Sequence, residues 1–175
     1  MEVPVFKFAV VDRVKQKGNF TLEGVDLTSS CFVPKQAREK DTGYDVRCAE
    51  PDGLVIKPGQ YVLMRLGFRA FPPDGWWYEL KVRSGTFVKK HFHSLYGTVD
   101  EHFESECCFA GDFLPDSTKL VNDLRIEYGE RVAQIIPVKR VVMLPEEVSN
   151  EELEALYAAR NGARGTGGFN SSGNA

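Results

Sequence analysis

No two of the four cysteines, Cys31, Cys48, Cys107 and Cys108, are spaced as CxxC, and two of them are adjacent. That pattern suits neither a zinc site nor a disulfide framework, so these thiols read as small buried hydrophobes. Basic charge is also short: 22 Lys and Arg against 25 Asp and Glu leave a net charge of −3, without the clustered basic face of a nucleic-acid binder. No apolar run approaches the roughly 18 residues of a membrane span, and Met1-Glu2-Val3-Pro4 opens no signal peptide. The expectation is one cytoplasmic domain that partners neither nucleic acid nor membrane. Long helical periodicity is missing too, until late in the chain.

Short β-prone runs take its place. Strands are expected in residues 3–14, 20–33 (strand or ordered loop), 54–56, 60–68, 76–82, 106–109, 124–128 and 131–144, with Pro58-Gly59 and Pro72-Pro73-Asp74-Gly75 as punctuation. Many short strands with Gly and Pro between them mean an all-β barrel or sandwich. Residues 110–122 read as a loop. The single expected helix is 146–160, with Ser149 as N-cap and Glu152 as its capping-box partner. From 161 onward the chain is nearly all Gly, Ser, Thr and Asn around Phe169.

Five segments carry residues with chemistry in them. Gly97-Thr98-Val99-Asp100-Glu101-His102-Phe103-Glu104 reads as the corner of a β-hairpin with a carboxylate at the bend, although on its own Asp100 is as well explained as a turn residue. Thr42-Gly43-Tyr44-Asp45-Val46 places an acid beside a glycine. Arg83-Ser84-Gly85 follows a strand and, alone, reads as a turn. Gly129-Glu130-Arg131-Val132-Ala133-Gln134 sets an amide inside an apolar strand, where a satisfied core amide is the ordinary reading. The tail, Arg164-Gly165-Thr166-Gly167-Gly168-Phe169-Asn170-Ser171-Ser172-Gly173, has the composition of a disordered end. Yet it keeps one Arg for phosphate and one aromatic for a base.

In this order the five segments resemble the five motifs of the homotrimeric deoxyuridine triphosphatases (dUTPases), from about residue 42 to the C-terminus. The resemblance implies a jelly-roll-like β-barrel of the dUTPase (β-clip) type over residues 1–160, with residues 10–38 as an addition and 161–175 as a tail that closes over the site. It implies a homotrimer with active sites between subunits. The activity implied is that of a dUTP diphosphatase: Mg²⁺-dependent hydrolysis of dUTP to dUMP and pyrophosphate, which keeps uracil out of DNA and feeds thymidylate synthesis.

By the same resemblance Asp100 is the general base for water attacking the α-phosphorus. Arg83, Ser84, Gly85 and Gln134 meet phosphates, Gly97, Thr98 and Val99 frame uracil, and Phe103 packs under the deoxyribose. From the tail, Arg164 binds the terminal phosphate, Phe169 covers the base, and Gly168, Ser171 and Ser172 complete the wrap. Asp45 acts on the metal only indirectly, through the phosphates. Three positions depart from the family: Phe103 stands for a usual Tyr, Ser94 lies near a usual Asn, and Val82 replaces a frequent Pro. A dCTP deaminase of the same fold needs a Glu about where Ala110 stands, and a catalytically silent nucleotide-sensing trimer needs no Asp100 at all.

Overall fold

A computed structural model describes residues 3–95, 97–115 and 122–160. They fall into two units, 1–141 and 142–175, the second described as far as 160. The first unit begins with β1 (Lys7–Val10), α1 (Asp12–Lys17), a hairpin of β2 (Phe20–Leu22) and β3 (Val25–Leu27), and a 3₁₀ turn (Ser29–Phe32). Then come β4 (Tyr44–Arg47), β5 (Leu54–Ile56), β6 (Tyr61–Arg65), β7 (Phe68–Phe71), β8 (Trp76–Val82) and α2 (Ser84–Lys90). The unit closes with β9 (Phe92–Ser94), β10 (Gly97–Val99), β11 (Cys108–Phe113), β12 (Leu124–Ile126) and β13 (Arg131–Lys139).

The strands do not close into one continuous barrel among the described residues. They form a four-stranded sheet in the order β10-β8-β13-β4, a three-stranded sheet β6-β11-β9, and the pairs β1-β7, β12-β5 and β2-β3. The two larger sheets share one core. Val46, Tyr78, Leu80, Val132 and Ile135 from the first meet Met64, Phe92, Phe109 and Phe113 from the second, all buried. Period-two alternation places them there: in β8, Tyr78 and Leu80 point inward while Glu79 and Lys81 stay outside and pair at 2.7 Å. Pro137 sits in β13 beyond the stretch flanked by β4, where a residue without an N–H is tolerated.

Several expectations need correction. The first strand is only Lys7–Val10, because the chain turns at Val11 into α1, which buries Val14. Residues 20–33 make a hairpin and a 3₁₀ turn rather than one strand. The expected 110–122 loop is strand as far as Phe113, and residues 116–121 lie outside the described part. Arg83-Ser84-Gly85 is not a plain turn: Arg83 is the N-cap of α2, which Ser84 opens. The hairpin expected around Asp100 is also absent, since β9 pairs with β11 while β10 pairs with β8. The late helix is α3 (Asn150–Ala159), and there the Ser149 side chain accepts the Glu152 N–H at 3.1 Å as anticipated.

Residues 10–38 pack as part of the first unit. Val14 and Phe32 are buried with Ala49 and Tyr128 in a second apolar cluster. Phe20 meets the Tyr128 ring edge-on at 4.7 Å between centroids, and Phe32 lies 5.1 Å from the same ring. Phe20 also covers Gly129, whose φ of +82° and missing side chain are both required: a methyl there would run into the Phe20 ring. Replacing Phe32 by Ala should cost about 3–5 kcal/mol of stability, measured by chemical denaturation, because a fully buried ring is removed.

Burial pushes the Cys48 thiol up to about 12 and the Cys107 thiol up to about 11. Burial likewise raises the Tyr78 phenol, whose oxygen lies 2.9 Å from the Cys107 sulfur. Unfolded thiols ionise near pH ~8.5, so the advantage of keeping them neutral is complete below that pH and is lost as pH rises through the folded values. The melting temperature should therefore fall above pH ~8.5, less steeply in Cys48→Ala than in the parent. A flat profile into the alkaline range would contradict this.

Candidate functional site

Three of the five segments meet at one carboxylate. Asp45 lies in β4 opposite Gln134 of β13, and its neighbour in that register, Val46, is buried in the core. The alternation turns the Asp45 side chain the other way, where the Arg83 guanidinium pairs with Oδ1 at 2.8 Å and Arg131 with Oδ2 at 3.2 Å. Arg83 arrives from the end of β8 and Arg131 from the start of β13, so the ion pair ties three strand ends together. The carboxylate is 12% exposed, which makes these charge-assisted contacts stronger than a surface pair.

Arg47, one strand position pair from Asp45, donates to the Gly129 carbonyl at 2.6 Å. Burial, together with the nearby positive charges of Arg131 and Arg83, holds its guanidinium below the usual arginine range. Arg47, Arg83, Arg131, Lys89 and Lys90 line a cleft of about 570 Å³, whose far wall is the β2–β3 hairpin with Leu22, Glu23, Val25 and Leu27. Lys90 is engaged with Glu130. One Asp45 and two Glu against five cations leave the cleft net positive, the condition for holding a polyphosphate. Gly85 also lines it. Neither Arg47 nor Arg131 was given a role from sequence, although Arg131 stands inside the GERVAQ segment.

Gly43 explains how Gln134 is placed. A methyl at position 43 would run into the Gln134 amide, so the long side chain lies directly over the glycine. Replacing Gly43 by Ala should displace that amide at a cost of roughly 1–3 kcal/mol, visible in a crystal structure and as a lower melting temperature.

Asp100 stands elsewhere. It follows β10 directly, and its carbonyl accepts the Phe103 N–H at 3.1 Å to close the turn. Gly97, Thr98, Val99, Asp100 and Phe103 line a second cleft of about 520 Å³ with Leu80, Leu95 and Ala110. The other acid in that cleft, Glu106, is committed to Arg13 at 2.9 Å and to the Gly67 N–H at 2.9 Å. Among the described residues Asp100 has no ion pair. Val99 pairs with Tyr78, and Arg83 lies five residues on, just past the end of β8, so the Cα atoms of Arg83 and of Val99, the residue before Asp100, are roughly 16 Å apart at the usual strand rise. The tail residues Arg164, Gly168, Phe169, Ser171 and Ser172 lie outside the described residues.

The chain is 34% identical over 149 residues to the deoxyuridine 5'-triphosphate nucleotidohydrolase of Chlamydia muridarum, covering 84% of this chain and 94% of that protein. The chain belongs to the deoxyuridine 5'-triphosphate nucleotidohydrolase (dUTPase) family. The Picosynechococcus sp. nucleotidohydrolase is 30% identical over 149 residues with the same coverage of both chains. No protein-family model matches. Among solved structures, a mutant dUTPase of Staphylococcus bacteriophage 80alpha with dUpNHpp superposes with a TM-score of 0.70 at 19% identity, over 97% of this chain and 99% of that one. A mutant dUTPase from phage phi11 of S. aureus, described with a structural Mg(II) ion, gives 0.62 at 15% identity, over 83% and 97%. The fold of this dUTPase family member is thus the jelly-roll arrangement expected from the motifs.

Proposed function

We infer that the protein is a dUTP diphosphatase, hydrolysing dUTP to dUMP and pyrophosphate. Family membership, over most of the chain and nearly the whole of its curated relatives, carries the reading. The chemistry of the two clefts agrees with it: one is cationic and suited to phosphates, the other is largely apolar with one uncommitted carboxylate.

The roles are those that the motif resemblance implies, and the positions of β10 and of the Arg83 cleft support them. β10 is the outer strand of its sheet, so the backbone of Gly97–Val99 has an edge with no strand partner among the described residues, and it can offer donors and acceptors to a uracil edge. Phe103 presents an aromatic face to the sugar. Asp100 takes a proton from water, whose oxygen attacks the α-phosphorus in line as the bond to the bridging oxygen breaks and pyrophosphate departs. Arg83, Ser84, Gly85 and Gln134 hold the phosphates, and Arg164, Phe169, Gly168, Ser171 and Ser172 close over them. Ala110 in the base cleft offers no carboxyl for deamination.

Among the described residues no group of three His, Cys, Asp or Glu is placed to hold a metal ion. Both Asp45 oxygens are occupied by guanidiniums. Mg²⁺ therefore fits as a companion of the triphosphate, where it would neutralise phosphate charge, with Asp45 acting on it only through the arginines and the phosphates.

A homotrimer fits the same geometry. The span of roughly 16 Å between the Cα atoms of Arg83 and Val99, the neighbour of Asp100, supports a site in which the two clefts come from different subunits. Exposed Tyr61 and Leu63 on β6, beside Leu95, supply apolar surface for such an assembly. In the Asp100→Asn variant turnover should fall by ~10²–10⁴ while dUTP still binds; full activity would reject the assignment. Asp100→Asn and Arg83→Ala subunits, each impaired alone, should regain activity when unfolded and refolded together, because random mixing leaves about a quarter of shared sites intact. No recovery would place each site within one subunit.

A further inference from the structure

The turn that carries Asp100 is exposed at Asp100, His102, Phe103 and Glu104, yet the side chain of Glu101 is only 13% exposed. It reaches away from the turn into a corner built by two other strand ends. Oε1 accepts the Gly75 N–H at 3.1 Å, at the entry to β8. Oε2 is buried without a hydrogen bond and faces the Arg140 Nε at 3.7 Å, just past the end of β13. Arg140 and Gly75 are themselves joined, the Arg140 N–H donating to the Gly75 carbonyl at 2.8 Å. Gly75 adopts a φ of +77°, a conformation that favours glycine.

We propose that Glu101 is a positioning residue for catalysis: its carboxylate plugs the Gly75–Arg140 corner and thereby fixes the backbone from which Asp100 projects. The inference rests on Asp100 being the general base. β10 has only three residues and pairs on one side, so its ladder alone leaves the following turn loosely held. A carboxylate that gives up most of its hydration for one backbone donor and an offset guanidinium is otherwise poorly repaid. Anchoring the adjacent residue against two neighbouring strands gives that burial a use, because a displacement of about 1 Å at a general base can cost ~10²-fold in rate.

The test is steady-state kinetics on the full-length enzyme with dUTP. Glu101→Ala should lower kcat by ~10–100-fold with KM little changed, and Glu101→Gln, which keeps an acceptor for Gly75, should restore most of it. Arg140→Met should lower kcat more modestly, and the Glu101→Ala, Arg140→Met double variant should be no worse than Glu101→Ala, because both act through one corner. The Arg140 side chain is 59% exposed, so this second variant still reads the corner if Glu101→Ala fails to fold. Unchanged kcat in Glu101→Ala and Arg140→Met, or a loss that tracks melting temperature and is not rescued by Gln, overturns the proposal. A fully active Asp100→Asn enzyme would instead overturn the underlying reading, whatever Glu101 does.

Discussion

A largely buried carboxylate between two guanidiniums organises the cationic cleft of this molecule. Asp45 would be an ordinary strand residue if Arg83 and Arg131 did not converge on it, and they converge because β8 and β13 end and begin at the same edge of one sheet. The arrangement gives more than cohesion. Each arginine is held in one orientation without its charge being cancelled, since a single negative group faces Arg47 as well. The cleft therefore holds its cations in fixed orientations, which would leave little ordering cost for an anion bound there.

The second cleft rests on different physics. Its walls are largely apolar, the outer edge of β10 has no strand partner among the described residues, and Asp100 sits on a turn whose next residue, Glu101, accepts the Gly75 N–H. Placing the cationic and apolar clefts toward opposite ends of β8 keeps Asp100 well away from the guanidiniums that would otherwise hold it. Asp45 shows what happens to an acid among them.

Sequence disclosed the β class, the capped late helix and the five segments, because alternation, turn residues and motif spacing are local signals. It singled out Asp100, Arg83 and Gln134 only through the resemblance of their segments to family motifs. It did not disclose α1 or α2. Asp12–Lys17 is too short to display a helical period, and Ser84-Gly85 reads as a turn until the packing around buried Thr86 is known. The split of β9 and β10 into different sheets was equally hidden, since pairing is decided by non-local contacts rather than by the residues between them. Glu101 and Arg131 went unassigned for the same reason: their significance lies in partners 26 and 86 positions away.

The ring of Phe20 lying over Gly129 has a wider consequence. Gly129 is the pivot of the tight bend that launches Arg131, and a residue from the N-terminal segment rests directly on that pivot. The early part of the chain is thus a keystone for the cationic end, and a change at Phe20 alone would shift the course of the backbone toward Arg131 without altering any side chain that lines the cleft.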